Sequence, residues 1–305
     1  MTTLLLGSAG QLGRALQAAR GASAPAWIDA DRHVEGGRLG VDATDPLALR
    51  RLLDDSRPDV IVNASAWTAV DAAESNEELA ARINADAVQV LGEWASRHEA
   101  LVVHVSTDYV FDGASKRPYL ESDVPAPQNA YGRTKLAGEQ ALVASGAAHM
   151  ILRTAWLYSA DGPSFLQTVL RLADERDQVR IVADQRGSPT PASLLADAII
   201  TATGAWTSRP AHDRPALEGL FHVVAAGETT WYGFTEAIIR GAVKRGILLR
   251  APTVEPITTA EYPTPARRPA YSVLDSSRFE SVFSRRMPDW ESQLQHVLDT
   301  IKPLI

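Results

Sequence analysis

The chain has 305 residues, enough for one large core or two joined ones, and its 45% hydrophobic and 22% charged residues are ordinary for a soluble globular protein. It contains no cysteine, which excludes disulfides, thiolate metal sites and cysteine nucleophiles, and a net charge of -7 argues against a nucleic-acid partner. No apolar run approaches the ~20 residues that cross a bilayer, and Met1-Thr2-Thr3-Leu4-Leu5-Leu6 lacks the basic flank of a signal peptide, so a cytoplasmic protein without a membrane partner is expected.

Thr3–Leu6 reads as a strand, followed by the tight turn Gly7-Ser8-Ala9-Gly10-Gln11-Leu12-Gly13 and a helix through Ala19. Glycines spaced G-x-x-G-x-x-G between a first strand and a helix suit a dinucleotide: they allow the sharp turn, the approach of a pyrophosphate to the helix N-terminus and close helix–strand packing. Gly7, Gly10, Gln11, Leu12 and Gly13 are therefore candidate cofactor contacts. A second strand near Ala26–Arg32 ends where a Rossmann unit places the acid that holds the adenosine ribose, and Asp29 or Asp31 fits that position. Arg32 beside them suits a 2'-phosphate instead, which leaves NADH and NADPH both open. Leu39–Ala43 is a short strand by pattern, with Asp42 and Ala43 at its end, facing adenine or simply in a loop; Thr44-Asp45-Pro46 starts the next helix.

The continuous apolar run Asp59–Asn63 predicts a buried parallel strand, and Ala64-Ser65-Ala66 after it are small enough for a cofactor to pass. Helical spacing of Leu79, Ile83, Ala87, Val90, Leu91 and Trp94 predicts one core-facing helix from about residue 76 to 97. The strand Leu101–Val105 runs on into Ser106-Thr107-Asp108-Tyr109, and His104 inside it reads as a structural histidine. A loop rich in Pro, Asp and Gly leads to a helix on which Tyr131 and Lys135, four residues apart, share one face. An ammonium beside a phenol favours the phenolate and brings the phenol toward the range of a working acid. By itself the spacing is what a packed aromatic and a solvated charge usually give.

The alternation of strands and helices through residue 155 predicts an α/β fold, a doubly wound parallel sheet of Rossmann type with ligands beyond the carboxyl ends of the strands. Residues 1–155 form the expected dinucleotide-binding domain, to which segments near 179–225 return, and 156–305 form mainly a smaller mixed α/β substrate lobe. In that lobe helices are predicted near 162–174, 192–203, 231–246 and 289–301, and strands at 179–183 and 220–224. Pro263-Thr264-Pro265-Ala266-Arg267-Arg268-Pro269 is too rich in proline for a helix or central strand; its adjacent arginines suit a diphosphate or are solvated.

Taken together, Gly7-x-x-Gly10-x-x-Gly13, Ser106-Thr107-Asp108-Tyr109-Val110-Phe111-Asp112-Gly113 and Tyr131-x-x-x-Lys135 resemble the extended short-chain dehydrogenases/reductases. More narrowly, Val62–Asp71, Tyr131–Glu139, Asp184–Thr190 and Pro263–Pro269 resemble the dTDP-4-dehydrorhamnose reductases, across nearly the whole chain. The resemblance implies hydride transfer from NADPH or NADH to the C4 ketone of a dTDP-linked 4-keto-6-deoxysugar. It implies that Tyr131 protonates the oxygen, that Lys135 holds the nicotinamide ribose and lowers the phenol pKa, and that Thr107 rather than Ser106 hydrogen-bonds the carbonyl. It also implies that Val70, Tyr109 and Trp156 line the sugar and that Arg267 and Arg268 lie near the diphosphate. Some members associate through a divalent ion held by glutamates; the matching stretches here, Arg14-Ala15-Leu16 and Pro191-Ala192-Ser193-Leu194, lack them, so no structural metal and a monomer or weak homodimer are expected. Two other readings share the motifs: a sibling reductase for another dTDP-4-keto sugar, such as one on the route to dTDP-dihydrostreptose, and a silent cofactor-binding regulatory subunit.

Overall fold

Strands that are apolar on both faces need helices on both sides, and the first half of the chain supplies them in alternation. The computed structural model describes residues 1–21, 26–32, 34 and 37–302. Its elements begin β1 (Thr2–Leu6), α1 (Gln11–Ala19), β2 (Ala26–Asp31), β3 (Leu39–Gly40), α2 (Pro46–Ser56) and β4 (Val60–Asn63). There follow α3 (Val70–Ala73), α4 (Glu77–Ala81), α5 (Ala87–His98), β5 (Leu101–Thr107), α6 (Ala130–Ala144) and β6 (His149–Thr154). The second half adds β7 (Leu157–Tyr158), α7 (Phe165–Glu175), β8 (Gln178–Val182), β9 (Arg186–Gly187), β10 (Thr190–Pro191), α8 (Ala192–Ser208), β11 (Gly219–His222), β12 (Thr229–Thr230), α9 (Trp231–Lys244), β13 (Thr253–Ile257), α10 (Ser277–Phe283) and α11 (Trp290–Asp299).

The main sheet has seven strands in the order β11-β6-β5-β4-β1-β2-β3, every pair parallel. This is the doubly wound Rossmann-type sheet that the alternation predicts. Because successive side chains point to opposite faces, Leu5, Val62, Val103 and Leu152 enter the core shared with α1, α8 and α9, whereas Leu4, Ile61, Val102 and Ile151 enter the one shared with α2 and α5. Strand order reverses at β1, whose neighbours are β2 and β4, so the loops after β1 and β4 open a crevice at the carboxyl edge. The second half of the chain also forms two-stranded pairs: β7 with β10, β9 with β12 and β8 with β13.

Three local differences from the sequence pattern have physical causes. The stretch predicted as one helix over 76–97 contains a π turn at Arg82–Asp86 between α4 and α5. The extra residue in that turn shifts the helical register, and Leu79, expected in the core, is 40% exposed. The strand expected over Leu39–Ala43 ends at Gly40, because Asp42 accepts hydrogen bonds from the Thr44 N–H (2.9 Å) and hydroxyl (2.7 Å) in a turn that leads into α2. β13 escapes prediction because it carries Pro256, yet it runs parallel to β8 in a sheet of only two strands, where a missing N–H is tolerated.

The glycine turn is packed as tightly as its spacing suggests. A Cβ on Gly13 would lie 2.3 Å from the Gly7 carbonyl oxygen and 2.6 Å from Ser8 Cα, both backbone atoms. Gly13→Ala is therefore expected to destabilise the protein by ~1–3 kcal/mol through overpacking. Gly204→Ala, on the exposed side of α8 with nothing within 4 Å, is expected to stabilise by ~0.5–1 kcal/mol because alanine loses less backbone entropy in a helix. Urea denaturation of both variants distinguishes these outcomes; equal effects would show that Gly13 is not held in close contact.

Candidate active site

The carboxyl ends of β1, β4 and β5 meet α6 around a cleft of about 520 Å³. Its inner wall contains Gly10, Gln11, Leu12, Ala64, Ser65 and Ala66. Gly10 is exposed and stands at the N-cap of α1, where no side chain caps the helix. The first-turn amides therefore remain available to an anion. Gln11 is held in place by its Nε2 donating to the Pro163 carbonyl at 2.8 Å. Gly7 and Gly13 lie behind this wall and shape it.

Of the two acids at the end of β2, Asp29 is committed to Arg20, which donates to both its oxygens at 2.9 and 2.8 Å. Asp31 accepts from the Ala9 N–H of the glycine turn at 2.8 Å, which fixes it beside the inner wall. The Arg32 side chain is 74% exposed and lies 3.9 Å from Asp42. Asp42 itself is occupied by Thr44, and Ala43 packs against the second core. Asp31 thus stands against the glycine turn, whereas Asp29 and Asp42 are spent on other partners.

Thr107, Tyr131 and Lys135 come together in the same cleft. Asn129 caps α6: its Oδ1 accepts from the Gly132 N–H at 2.8 Å, and its Nδ2 donates to the Arg267 carbonyl at 2.8 Å. One helical turn then separates Tyr131 from Lys135, whose Nζ donates to the Val105 carbonyl at 2.7 Å and stands 3.1 Å from His104 Nε2. On its other side His104 Nδ1 takes the Asn63 amide at 3.1 Å, while Asn63 Oδ1 accepts from the Ser65 N–H (3.2 Å) and hydroxyl (2.6 Å). His104 is buried and satisfied, as a structural histidine should be, but the group it touches is Lys135.

The two adjacent hydroxyls both border the cleft but have different partners. Ser106 donates to Glu139, which also forms a buried pair with Arg153 at 2.6 Å. Thr107 is free of that network; its Oγ1 accepts the Tyr109 N–H at 3.2 Å and donates to Asp108 Oδ1 at 3.0 Å.

Burial drives the titratable groups of the cleft toward their neutral forms. It lowers His104 well below the usual histidine range, with Lys135 adding to the effect. It brings Lys135 down to about 8, against the opposing pull of Glu139. Asp108 is pushed up to about 6 and Tyr131 to about 12. The expectation that Lys135 lowers the phenol pKa is not met in this geometry. Thr107 is the group that pulls Tyr131 down, while the Lys135 ammonium is turned to Val105 and His104.

The outer wall includes Val70, Tyr109 and Trp156, together with Trp231. Tyr109 meets Tyr131 edge-on with centroids 5.7 Å apart. Trp156 has a left-handed backbone (φ 47°) and stacks on Trp231 at 3.5 Å. A Cβ on Gly187 would lie 2.4 Å from its indole, so the sandwich needs glycine there. Arg267 and Arg268 do not line the cleft. Arg268 is paired with Asp71 at 2.8 Å near Tyr109, and Arg267 is exposed, 3.3 Å from Gln128. Sequence reasoning missed Trp231, Asp108 and Asn63; only the helix-opening Thr230-Trp231 marks the first locally, and its stacking partner is 75 positions away.

A Rossmann sheet with a glycine turn and a Thr-Tyr-Lys set at its carboxyl edge defines the short-chain dehydrogenase/reductase class. The RmlD substrate binding domain matches residues 1–302. The chain is 42% identical over 301 residues to the dTDP-4-dehydrorhamnose reductase of Escherichia coli strain K12, covering 99% of this chain and 98% of that one. It is 39% identical over 307 residues to a probable dTDP-4,6-dihydroxy-2-methyloxan-3-one 4-ketoreductase of Streptomyces antibioticus, covering 99% and 96%. The crystal structure of dTDP-4-dehydrorhamnose reductase from Bacillus anthracis in complex with NADP is similar with a TM-score of 0.88 and 31% identity, covering 98% of this chain and 99% of that one. The chain belongs to the dTDP-4-dehydrorhamnose reductase family.

Lys135 binds its proton less tightly in the fold, at about 8, than at its ordinary 10.5. Its contribution to stability therefore rises with pH across that window, because the unfolded chain there carries the extra proton. Lys135→Met removes this slope: the stability of the variant minus that of the wild type is expected to fall by up to ~3 kcal/mol between about pH 7 and about pH 10. Urea midpoints at the two pH values check it, and a difference that does not move with pH would show that Lys135 titrates normally.

Proposed function

We propose that this chain is an NAD(P)H-dependent reductase that converts the C4 ketone of a dTDP-4-keto-6-deoxysugar to an alcohol, turning dTDP-4-dehydrorhamnose into dTDP-rhamnose. The observation that carries the reading is the convergence of Thr107, Tyr131 and Lys135 in one cleft with Gly10 and Ser65, in a chain similar to such reductases over nearly its whole length. The inner wall fits the cofactor. Gly10 leaves room at an uncapped helix N-terminus for a pyrophosphate, and Asp31 stands where an adenosine ribose hydroxyl would be held.

Bound NAD(P)H supplies the hydride for the carbonyl carbon. The protein supplies the rest: Tyr131 gives its phenol proton to the oxygen that gains charge, and Thr107 offers that oxygen a hydrogen bond. A phenol held at about 12 keeps its proton until a stronger base appears, which an alkoxide is. Lys135, with Val105 and His104 setting its height in the cleft, holds the nicotinamide ribose on the Tyr131 side. Val70, Tyr109 and the Trp156–Trp231 stack enclose the sugar and exclude water, and Arg268, buttressed by Asp71, serves the diphosphate with Arg267 beyond it.

The likeness to the Streptomyces ketoreductase supports a second reading, a 4-ketoreductase for a different dTDP-linked sugar with the same catalytic groups. Synthetic dTDP-4-keto-6-deoxyhexoses offered with NADPH and NADH, with nicotinamide absorbance followed and the product sugar identified, separate the two. The expected result is rapid oxidation with dTDP-4-dehydrorhamnose and dTDP-rhamnose as product; no oxidation with any of these sugars would end the reductase reading. Tyr131→Phe is expected to keep cofactor affinity within about threefold and to lower kcat by ~10²–10⁴, the usual worth of a general acid. Near-normal turnover in that variant would place the proton donor elsewhere.

A further inference from the structure

Asp108 follows Thr107 at the end of β5, is 2% exposed and lines the cleft. Its Oδ1 takes the Thr107 hydroxyl proton at 3.0 Å, and its buried Oδ2 has no hydrogen-bond partner among the described residues. A hydroxyl has one proton and two lone pairs. While Asp108 is ionised, Thr107 spends that proton on the carboxylate, and a ketone oxygen arriving in the cleft would meet lone pairs instead of a donor. If Asp108 carries a proton on Oδ1, the bond reverses. Thr107 Oγ1 then accepts from both Asp108 and the Tyr109 N–H, and its own proton is released to the cleft.

Resting on the reductase reading above, we propose that Asp108 is a positioning residue that works in its protonated form, donating to Thr107 Oγ1 and so turning the Thr107 hydroxyl proton toward the substrate ketone. The surroundings favour that form. Burial pushes the carboxyl up to about 6, opposed by the nearby Ser272 hydroxyl, by Thr107 and by the backbone N–H groups of Asp108 and Tyr109. The titratable groups facing it are the phenols of Tyr131, from α6, and Tyr109, from its own turn; the nearby cation Arg268 lies against Tyr109 and Asp71. An ionised Asp108 also makes Tyr131 hold its proton more tightly, so neutralising it serves both donors at once. No proton is consumed at Asp108. The one delivered to the alkoxide comes from Tyr131, and Asp108 keeps its own.

Single-turnover reduction of dTDP-4-dehydrorhamnose with excess NADPH, measured from about pH 5.5 to about pH 8.5, tests this in the wild type, Asp108→Asn and Asp108→Leu. The wild-type rate should fall as pH rises and Asp108 ionises. The asparagine amide donates to Thr107 Oγ1 at every pH, so Asp108→Asn should turn over at low pH and hold that rate to high pH. Asp108→Leu, without a donor, should lose ~10- to 100-fold throughout, as when an oxyanion donor is mispositioned. Difference infrared spectra of wild type against Asp108→Asn should show a protonated carboxyl stretch at low pH. Wild-type turnover combined with an Asp108→Asn rate that still falls with pH, or is as low as that of Asp108→Leu, overturns this proposal alone. Absence of wild-type turnover overturns the reductase reading and this proposal with it.

Discussion

An amine buried to 1% exposure has to find its hydrogen bonds inside the protein, and Lys135 finds them at the end of β5. Its contacts with the Val105 carbonyl and His104 tie the middle of α6 to the sheet at one height. Much follows from that tether. Tyr131, one turn earlier, is placed above Thr107; Asn129, at the cap, is placed under the Arg267 carbonyl; and the His104–Asn63 contact carries the restraint across to Ser65 on the cofactor side of the crevice. A buried polar group left unpaired costs ~1–3 kcal/mol, so each member of this chain has reason to keep its partner. The arrangement behaves as one unit in which moving a single residue disturbs the rest.

The same burial gives the cleft its electrostatic character. Lys135 and His104 are lowered, Asp108 and Tyr131 are raised, and in each case the neutral form gains. A hydride and a proton added to a ketone leave a neutral alcohol, so the only large charge is the one that gathers briefly on oxygen. In a weakly polar cleft a hydroxyl and a phenol aimed at that oxygen act more strongly than they would in water. Arg153 and Glu139, a buried ion pair close to these groups, bond to each other, and Glu139 also takes Ser106, which leaves Thr107 outside their bonds.

Much of the fold was legible because its signals are local. Alternation in β1, β4 and β5 fixes which side chains enter which core, and a glycine turn after a first strand marks the crevice. The period of two separates Ser106 from Thr107 without choosing between them, and the preference for Thr107 rests on the family resemblance. The failures are of another kind. Leu79 turns outward because of a π turn, for which the apolar spacing gives no warning. The phenol of Tyr131 is raised because burial outweighs a lysine whose ammonium points elsewhere, and i,i+4 spacing reports proximity on a helix but not where a flexible side chain finds its acceptor.

The outer wall shows why the chemistry is easier to read than the sugar. Tyr131 and Lys135 are four positions apart, and Thr107 lies one strand away. The groups in the outer wall and beyond it come from separate parts of the chain: Asp71 with Arg268, Asn129 with Arg267, Trp156 with Trp231 and Gly187. Each pair spans at least 31 positions, and its meaning lies in a contact that no local spacing encodes. Trp156 keeps a left-handed backbone where its indole stacks on Trp231 and closes on Gly187. Substrate preference in such a cleft rests on loops whose distances from one another are set by the fold, so the wall can be altered one loop at a time while the tether beneath Lys135 keeps α6 in place on the sheet.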